Sequence, residues 1–306
     1  MAIFMRKHYT LKLSHGTLFP SPNEGEQPGG SGQIELGDRT LIMGILNVTP
    51  DSFSDGGRFL DYGTAVGRAC ELIAAGADIL DIGGESTRPG SDPVPMDVEL
   101  ERVVPVIRAI RERSGVPISI DTNKAEVARQ ALSAGADIIN DISSLRFDTE
   151  MAKVVAESGA PLIIMHMLGT PRTMQKNPVY ASLIPEIISF LEERLQFAAS
   201  RGIDRSQIVV DPGIGFGKTV VHNLSIIGQL DAFSCLDRPL LLGLSRKRFI
   251  GTVTGRPEGE RELGTAVANA IGIAAGGAHI IRVHDVAFQK DAVTMADAIR
   301  GALIGS

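Results

Sequence analysis

The sequence predicts an α/β protein built as a TIM (β/α)8 barrel, a ring of eight parallel strands that are each followed by a helix, with a short N-terminal extension. Short apolar runs rich in isoleucine recur along the chain, and glycine–alanine pairs stand just before several of them. Between these runs, apolar residues return at helical spacing, so strands and helices alternate through one chain of 306 residues.

Four segments share one pattern, in which Gly-Ala precedes four or five mostly apolar positions: "AGADILDIG" (Ala75–Gly83), "AGADIINDI" (Ala134–Ile142), "SGAPLIIMHM" (Ser158–Met167) and "GGAHIIRVH" (Gly276–His284). A glycine just past a helix can take the left-handed conformation that ends it, and a short Ile-rich run is typical of a buried parallel strand. The predicted strands are Leu41–Leu46, Asp78–Ile82, Pro117–Asp121, Asp137–Asp141, Pro161–His166, Gln207–Asp211, Pro239–Leu244 and Ala278–Val283.

Amphipathic helices are predicted between the strands. One apolar stripe runs through Leu100, Val103, Val104 and Ile107, and another through Leu183, Ile187, Ile188, Leu191 and Leu195. Asn123, with Glu126 three residues later, is placed as a helix N-cap. A doubly wound open sheet is the alternative fold, but it would leave two of the eight strands unexplained.

Residues 1–32 do not share the repeat and are expected to form an N-terminal extension and linker, partly flexible, while residues 33–306 form a single barrel domain. The stretch "SPNEGEQPGGSG" (Ser21–Gly32) has the Pro/Gly/Ser-rich composition of a linker. The preceding "HYTLKLSHGTLF" (His8–Phe19) is a candidate short hairpin.

Composition narrows the class of function. A formal charge of −6 argues against a nucleic-acid partner. The two cysteines have no metal-ligand or disulfide spacing, which fits a reducing cytoplasm. The N-terminus resembles no signal peptide, and no apolar run approaches the roughly 18 residues of a membrane span, so neither secretion nor a membrane is expected.

Polar residues stand at the C-terminal ends of the predicted strands, where TIM barrels carry their active sites. They are Asn47, Asp81, Asp121, Asn140, Asp141, His166, Asp211, Ser245, Arg246, Lys247, Arg282 and His284. Taken alone, Asp121 could cap a helix, Asp211 could form a turn, and His166 is better explained as a core histidine. Together, two carboxylates, an amide and an ammonium suit a flat heterocycle with an amino-pyrimidinone edge, because a carboxylate accepts two parallel N–H bonds.

The loop "DPGIGFGK" (Asp211–Lys218) matches neither the phosphate-binding P-loop nor the dinucleotide G-x-G-x-x-G spacing. Its glycines would let the backbone and Phe216 approach a ring closely. Arg282 and His284 follow the eighth strand, where barrels often bind phosphate. The loop "NVTPDSFSDGG" (Asn47–Gly57) carries only oxygen ligands, which favours a hard ion such as Mg2+ over zinc.

At these residues the chain resembles the bacterial dihydropteroate synthases, a family of pterin-binding TIM barrels. The segments that carry the resemblance are "MGILNVTPDSFSDGG", "DIGGESTRPGS", "ISIDTNKAEVA", "IINDI", "MHM", "DPGIGFGK", "GLSRK" and "RVHDV". They occur in the family's order from residue 43 to residue 286. Each is weak alone, but eight in order are specific.

The resemblance implies a transferase of folate synthesis that joins p-aminobenzoate to hydroxymethyl-dihydropterin pyrophosphate and releases pyrophosphate with Mg2+. It assigns the pterin contacts to Asp121, Asn140, Asp211 and Lys247, and the walls of the pterin slot to Met165, Ile142 and Phe216. It assigns pyrophosphate to Asn47, Thr87, Arg282 and His284, and Mg2+ to Asn47 and Asp55. It implies loops bearing Phe53, Asp55 and Arg88 over the amine substrate, a homodimer, a reaction with dissociative character, and an amine site that is the target of sulfonamides.

One residue departs from the family pattern, because Arg248 stands after "SRK" where Ser is frequent. It is a candidate contact to the p-aminobenzoate carboxylate, or a side chain that points to solvent. Two other functions are considered. A pterin-dependent methyltransferase would share Asp121 and Asn140 but would not need the Asn47–Gly57 loop, and a catalytically silent paralogue should have lost residues from the loops.

Overall fold

The fold is a barrel of eight parallel strands. The computed structural model describes residues 6–13, 32–49, 62–86 and 91–304. The barrel strands are β3 (Leu41–Asn47), β4 (Ile79–Gly83), β5 (Ile118–Asp121), β6 (Ile138–Asp141), β7 (Leu162–Met165), β8 (Ile208–Asp211), β9 (Leu241–Leu242) and β10 (Ile280–Val283), which follow an antiparallel pair, β1 (Tyr9–Lys12) and β2 (Gln33–Leu36). The barrel order is β8-β7-β6-β5-β4-β3-β10-β9, and a parallel bridge between Val210 and Leu240 joins its two ends. The predicted TIM barrel is confirmed.

Helices separate the strands and cover the outside of the barrel. Within the described residues they are α1 (Tyr62–Ala74), α2 (Met96–Arg111), α3 (Ala125–Ala134), α4 (Met151–Ser158), α5 (Leu183–Ser200), α6 (Val220–Gly228), α7 (Arg248–Thr254), α8 (Glu262–Ala274) and α9 (Val286–Ile304). The two predicted stripes lie on α2 and α5, and their innermost residues, such as Val103, Ile107 and Leu191, are buried against the strands. None of the described helices is long and apolar enough to cross a membrane.

The predicted cap of α3 is wrong. The helix begins at Ala125 after Lys124, and no side chain of the cap residue bonds to the first turn. Instead, the Ala125 N–H donates to the Asp148 carboxylate at 2.8 Å. Asp148, in the connection between β6 and α4, therefore caps α3 in place of the predicted Asn123.

The N-terminal end of the barrel is closed by the β1–β2 pair. Tyr9 pairs with Leu36, and Lys12 pairs with Gln33. The buried side chains of Leu11, Ile34 and Leu36 join one apolar residue from most barrel strands, so they plug the barrel from below. The strand inside His8–Phe19 thus pairs with a segment 20 or more residues later in the chain, whereas the sequence suggested a local hairpin.

The residue that follows the glycine–alanine repeat anchors three of the strands at the lower end of the barrel. The polar residue directly after the repeat bonds to the backbone of the preceding strand: Asp78 accepts from Ile42 N at 2.8 Å, Asp137 from Ile118 N at 2.9 Å, and the His279 ring from Leu240 N at 3.1 Å. Three residues further along, the same three strands place Asp81, Asn140 and Arg282 at the opposite end of the barrel.

Candidate active site

The barrel interior has two layers with opposite chemistry. Residues two apart on a strand face the same side, and the lower layer is apolar: Met43, Ile79, Ile138, Ile163, Val209, Leu241 and Ile280. Two residues further along the strands the upper layer is largely polar: Asp81, Asp121, Asn140, Met165, Asp211 and Arg282. Strand register aligns these ends, since Asp121 pairs with Asn140 and Met165 pairs with Asp211. The structure thus brings five of the predicted site residues to one mouth.

Arg282 occupies the centre of this polar layer. Its Nε donates to Asp81 Oδ2 at 2.5 Å and its Nη2 donates to Asp121 Oδ2 at 2.7 Å. Asn140 Nδ2 lies 3.3 Å from Asp81 Oδ2. Burial on its own would lower the pKa of Arg282, but the Asp81 and Asp121 carboxylates outweigh it and the pKa lies above its usual value. The guanidinium is therefore a fixed positive charge at the base of the mouth.

Only one of the two carboxylate oxygens of Asp121, Oδ2, takes part in the ion pair with Arg282. Its Oδ1 atom is buried and has no hydrogen-bond partner among the described residues. Burial raises the pKa of Asp121 well above its usual range, Arg282 opposes that rise, and the nearby Asp81, Glu99 and Asp141 carboxylates add to it. A buried carboxylate oxygen without a donor costs free energy in the free protein, and a ligand N–H would relieve this cost.

Asp211 begins the glycine-rich loop that the sequence analysis singled out. Its Oδ1 accepts from Gly213 N at 2.7 Å, and burial raises its pKa although Lys247 opposes the rise. Gly213 adopts a φ of 71°, and a Cβ added there would lie 1.9 Å from the His166 carbonyl oxygen. Only glycine allows the loop to pass this close to the end of β7.

Lys247 faces the same loop from the connection between β9 and α7, directly before the helix. Its Nζ donates to the Ile214 carbonyl and lies 4.7 Å from the centre of the Phe216 ring. Burial lowers the pKa of Lys247 to about 8, while the Asp211 carboxylate opposes that shift. Lys247 is therefore an N–H donor next to the acceptor Asp211.

An apolar wall borders the polar layer. Ile142, Met165, Met167 and Met174 form a separate buried cluster, and Phe216 packs against it. Two of the three residues that the resemblance assigned to the walls of a pterin slot, Ile142 and Met165, belong to this cluster, and the third, Phe216, lies against it. A flat ring could lie between this wall and the upper-layer carboxylates, which would meet the edge of the ring.

Two of the residues predicted to meet pyrophosphate, Asn47 and His284, lie on the other side of the mouth, at the ends of β3 and β10. His284 Nδ1 is 2.9 Å from Ser245 Oγ, and the same hydroxyl accepts from His284 N at 3.2 Å. Asn47 is the last residue of β3, half-buried, and pairs with Gly83. Arg248 opens α7, and its side chain is exposed. Four predicted residues lie outside the described part of the chain: Phe53, Asp55, Thr87 and Arg88.

Two buried residues of the mouth were not among the predicted site residues. Asp81 accepts hydrogen bonds from both Arg282 and Asn140. Its position in the repeat matches that of Asn140 and Arg282, and this match is the signal in the sequence that marks it as a candidate site residue. Lys218 ends the glycine-rich loop and is almost fully buried, with its Nζ 2.8 Å from His166 Nδ1. Nothing in the sequence shows that this lysine turns inward. His166 itself is buried and bonded, as the core-histidine interpretation expected.

Comparison with known proteins agrees with this geometry. The family of pterin binding enzymes matches residues 43–284. A dihydropteroate synthase of Synechocystis sp. is 46% identical over 281 residues, which is 92% of this chain and 96% of that protein. The dihydropteroate synthase of Bacillus subtilis is 48% identical over 262 residues, covering 86% of this chain and 89% of that protein.

Solved structures give the same result. Yersinia pestis dihydropteroate synthase in a sulfonamide drug complex superposes with a TM-score of 0.83 at 41% identity, covering 88% of this chain and 97% of that one. The Xanthomonas albilineans enzyme in complex with 7,8-dihydropteroate superposes with a TM-score of 0.78 at 42% identity, covering 86% and 94%. With its barrel, its polar upper layer and relatives that match over nearly their whole length, the chain belongs to the pterin-binding enzymes and, within them, to the dihydropteroate synthases.

Proposed function

We infer that the chain condenses hydroxymethyl-dihydropterin pyrophosphate with p-aminobenzoate, giving dihydropteroate and pyrophosphate for folate biosynthesis. Family membership supports the reaction, and one local observation supports the site. Asp121 Oδ1 is a buried acceptor with no partner among the described residues, at the centre of the mouth. The amino-pyrimidinone edge of a pterin offers the N–H donors that such an oxygen lacks.

We propose that Asp121, Asn140, Asp211 and Lys247 bind the pterin edge. The two carboxylates accept, Lys247 donates, and the Asn140 amide can do both. Ile142, Met165 and Phe216 then cover the ring faces. This proposal rests on two observations. Asp121, Asn140 and Asp211 lie together in the upper layer of the barrel interior, and the apolar cluster lies beside that layer.

The reaction breaks the bond between the pterin methylene carbon and the pyrophosphate oxygen, and the electron pair leaves with pyrophosphate. The amine nitrogen of p-aminobenzoate forms the new C–N bond and loses one proton. As the C–O bond lengthens, positive charge develops on the carbon, and the ionised Asp121 stabilises it. We propose that Arg282, His284, Asn47 and Thr87 bind the departing pyrophosphate, so that no nucleophilic side chain is required.

We propose Asn47 as a ligand of Mg2+, with Asp55 as the second candidate. Among the described residues no three His, Cys, Asp or Glu side chains gather as a metal cage. This donor set fits Mg2+, which commonly takes one or two protein oxygens and completes its shell with phosphate and water. When bound, the ion would add positive charge at the leaving pyrophosphate.

We propose that the amine substrate binds at the outer part of the mouth, next to Phe216 and the start of α7. Phe53, Asp55 and Arg88 are the loop residues expected there. Arg248 is the one cation of this set within the described residues, and its exposed side chain can reach a carboxylate only at the rim. Its contribution should therefore be modest and screened by salt.

We propose a homodimer that forms through α8. Leu263, Val267 and Ile271 are spaced by four residues, so they share one face of this helix, and all three are exposed. Val253 at the end of α7 is exposed as well. An exposed apolar face on a helix is typical of a subunit contact. Sedimentation of the purified protein at micromolar concentration should give twice the chain mass of 32.5 kDa.

We place this reaction in the cytoplasm. Both cysteines, Cys70 and Cys235, are free thiols in the structure. Free exposed thiols are compatible with a reducing compartment, where disulfides do not persist.

The decisive experiment measures pyrophosphate release by the purified protein. Release should require the pterin pyrophosphate, p-aminobenzoate and Mg2+ together, and a sulfonamide should compete with the amine. A folded protein that releases no pyrophosphate under these conditions would rule out the proposed function. Release without p-aminobenzoate would indicate hydrolysis instead of C–N bond formation.

A further inference from the structure

Lys218 is surrounded by hydrogen-bond acceptors. Its Nζ lies 2.8 Å from His166 Nδ1, 3.1 Å from the Phe216 carbonyl oxygen and 3.4 Å from the His166 carbonyl oxygen. Burial lowers the pKa of His166 to about 2, so the ring stays neutral and its Nδ1 can accept a hydrogen bond from Lys218. Three acceptors match the three N–H donors of an ammonium group.

These contacts fasten the glycine-rich loop to β7. The loop lies directly on the segment after β7, since a Cβ on Gly217 would meet Leu168 at 2.7 Å. Lys218 bonds to both sides of this contact, because Phe216 belongs to the loop and His166 follows β7. Gln175 and Tyr180 bond to the Gly215 and Gly217 carbonyls from outside, at 2.6 Å and 2.7 Å. Lys218 is the cation placed beneath the loop.

The charge of Lys218 also acts on Asp211. The charged groups around this carboxyl are Lys247 at the mouth, Lys218 beneath the loop and Arg282 on β10, and all three favour its ionised form together with the Gly213 N–H. His166, directly after β7, is neutral, so it does not add a charge. Burial lowers the pKa of Lys218 itself well below its usual value, and the Asp211 carboxylate opposes that shift. Lys218 and Asp211 therefore support each other's charged state.

We propose that Lys218 is a positioning residue of the pterin site, whose buried ammonium fastens the Asp211–Lys218 loop to the end of β7 and keeps Asp211 ionised for the pterin. The proposal rests on the proposed function, because it assumes that Asp211 accepts hydrogen bonds from a pterin. It extends that function because Lys218, which does not touch the pterin, would help to set the pH below which pterin binding weakens.

The test compares Lys218→Met with Lys153→Met, which removes an exposed lysine from α4. Calorimetry with 6-hydroxymethylpterin, which needs no pyrophosphate contacts, gives the affinity from pH 5 to pH 9. In Lys218→Met the pH below which binding weakens should rise by at least about one unit, as expected when a close opposite charge is lost. Asp121 also titrates in this range, but it is present in every variant and cancels in the comparison. Lys153→Met should match the wild type.

A purely structural lysine gives a different result. If binding by Lys218→Met weakens equally at all pH values, or does not weaken, the proposal is overturned. If Lys218→Met does not fold, as judged by circular dichroism, Lys218→Gln replaces it, because that variant keeps an N–H donor but loses the charge and must show the same shift. A wild-type protein that binds no hydroxymethylpterin would instead contradict the proposed function.

Discussion

Both ends of the barrel strands carry buried polar residues, but their hydrogen bonding differs between the two ends. At the lower end, Asp137 accepts from Ile118 N at 2.9 Å and from Arg111 Nη2 at 2.5 Å. His279 accepts from Leu240 N through Nδ1, and its Nε2 lies 3.1 Å from the Lys7 carbonyl, which fixes the proton on Nε2. At the upper end, Asp121 keeps one buried oxygen without a partner among the described residues.

The difference separates residues that stabilise the fold from residues that bind a ligand. A polar group that is fully bonded within the protein has nothing left to offer a substrate, whereas a buried unpaired oxygen gains its partner only when a ligand arrives. The repeat places both kinds on one strand, because Asp137 and Asn140 are three residues apart on β6. Polarity of a strand end therefore does not by itself mark a site, whereas a buried unpaired acceptor at the open mouth of the barrel, such as Asp121 Oδ1, is available to a ligand.

The largest expected effect is at the upper end. Asp121→Asn replaces an acceptor by an amide that must present N–H groups either to the pterin or to Arg282. We expect pterin affinity at pH 8 to fall at least about tenfold, which corresponds to roughly 1.4 kcal/mol, with the fold intact. Calorimetry with 6-hydroxymethylpterin measures this, and an unchanged affinity would contradict the assignment of Asp121.

The reciprocal change is at the lower end. Asp137→Ala removes the acceptor of Ile118 N and the partner of Arg111, which leaves two buried donors less well bonded. We expect the free energy of unfolding to fall by about 1–3 kcal/mol, with pterin affinity unchanged in the folded protein. Urea unfolding and calorimetry on the same preparation separate the two quantities. Loss of affinity without loss of stability would show that the two ends are not distinct in function.

The third prediction uses pH to sharpen the comparison. Burial raises the pKa of Asp121, so the folded protein holds this proton to a higher pH than the unfolded chain does. The stability contributed by Asp121 must therefore fall as pH rises from about 4, the ordinary value for Asp, through the raised folded pKa, and level off above it. The difference in unfolding free energy between wild type and Asp121→Asn should follow this course between pH 4.5 and pH 8. A difference that increases with pH would refute the raised pKa.

Much of this architecture could be predicted from local pattern. The eight strands lie where the apolar runs placed them, and only β9 shrinks markedly, from Pro239–Leu244 to a ladder of Leu241–Leu242. The errors all involve distant partners. The α3 cap comes from Asp148, 23 residues after the N–H it accepts from. The partner of β1 begins at Gln33.

The site was predictable to the extent that strand ends meet at one mouth. The sequence places Asp81 at a strand end but does not identify it as a site residue, because its role depends on Arg282, which is 201 residues away. The sequence places Lys218 in a glycine-rich loop, but its burial depends on acceptors of His166, 52 residues earlier. Spacing reveals which residues reach the mouth, but the choice of partner among them is made by tertiary packing.

The smallest expected effect lies at the rim of the mouth. Arg248 is exposed, and an exposed ion pair contributes only about 0–1 kcal/mol, so Arg248→Ala should raise the KM for p-aminobenzoate no more than several-fold. The effect should be present at low salt and weaken at high salt, because screening shortens the range of the charge. Affinity for the pterin pyrophosphate should not change. Arg113→Ala is the matched control, since Arg113 is also exposed but follows α2 at the lower end of the barrel. If both variants change the KM equally, the cause is net charge and not a contact. If neither does at low salt, Arg248 plays no part in binding the amine substrate, and the upper end of the barrel recognises its carboxylate through other groups.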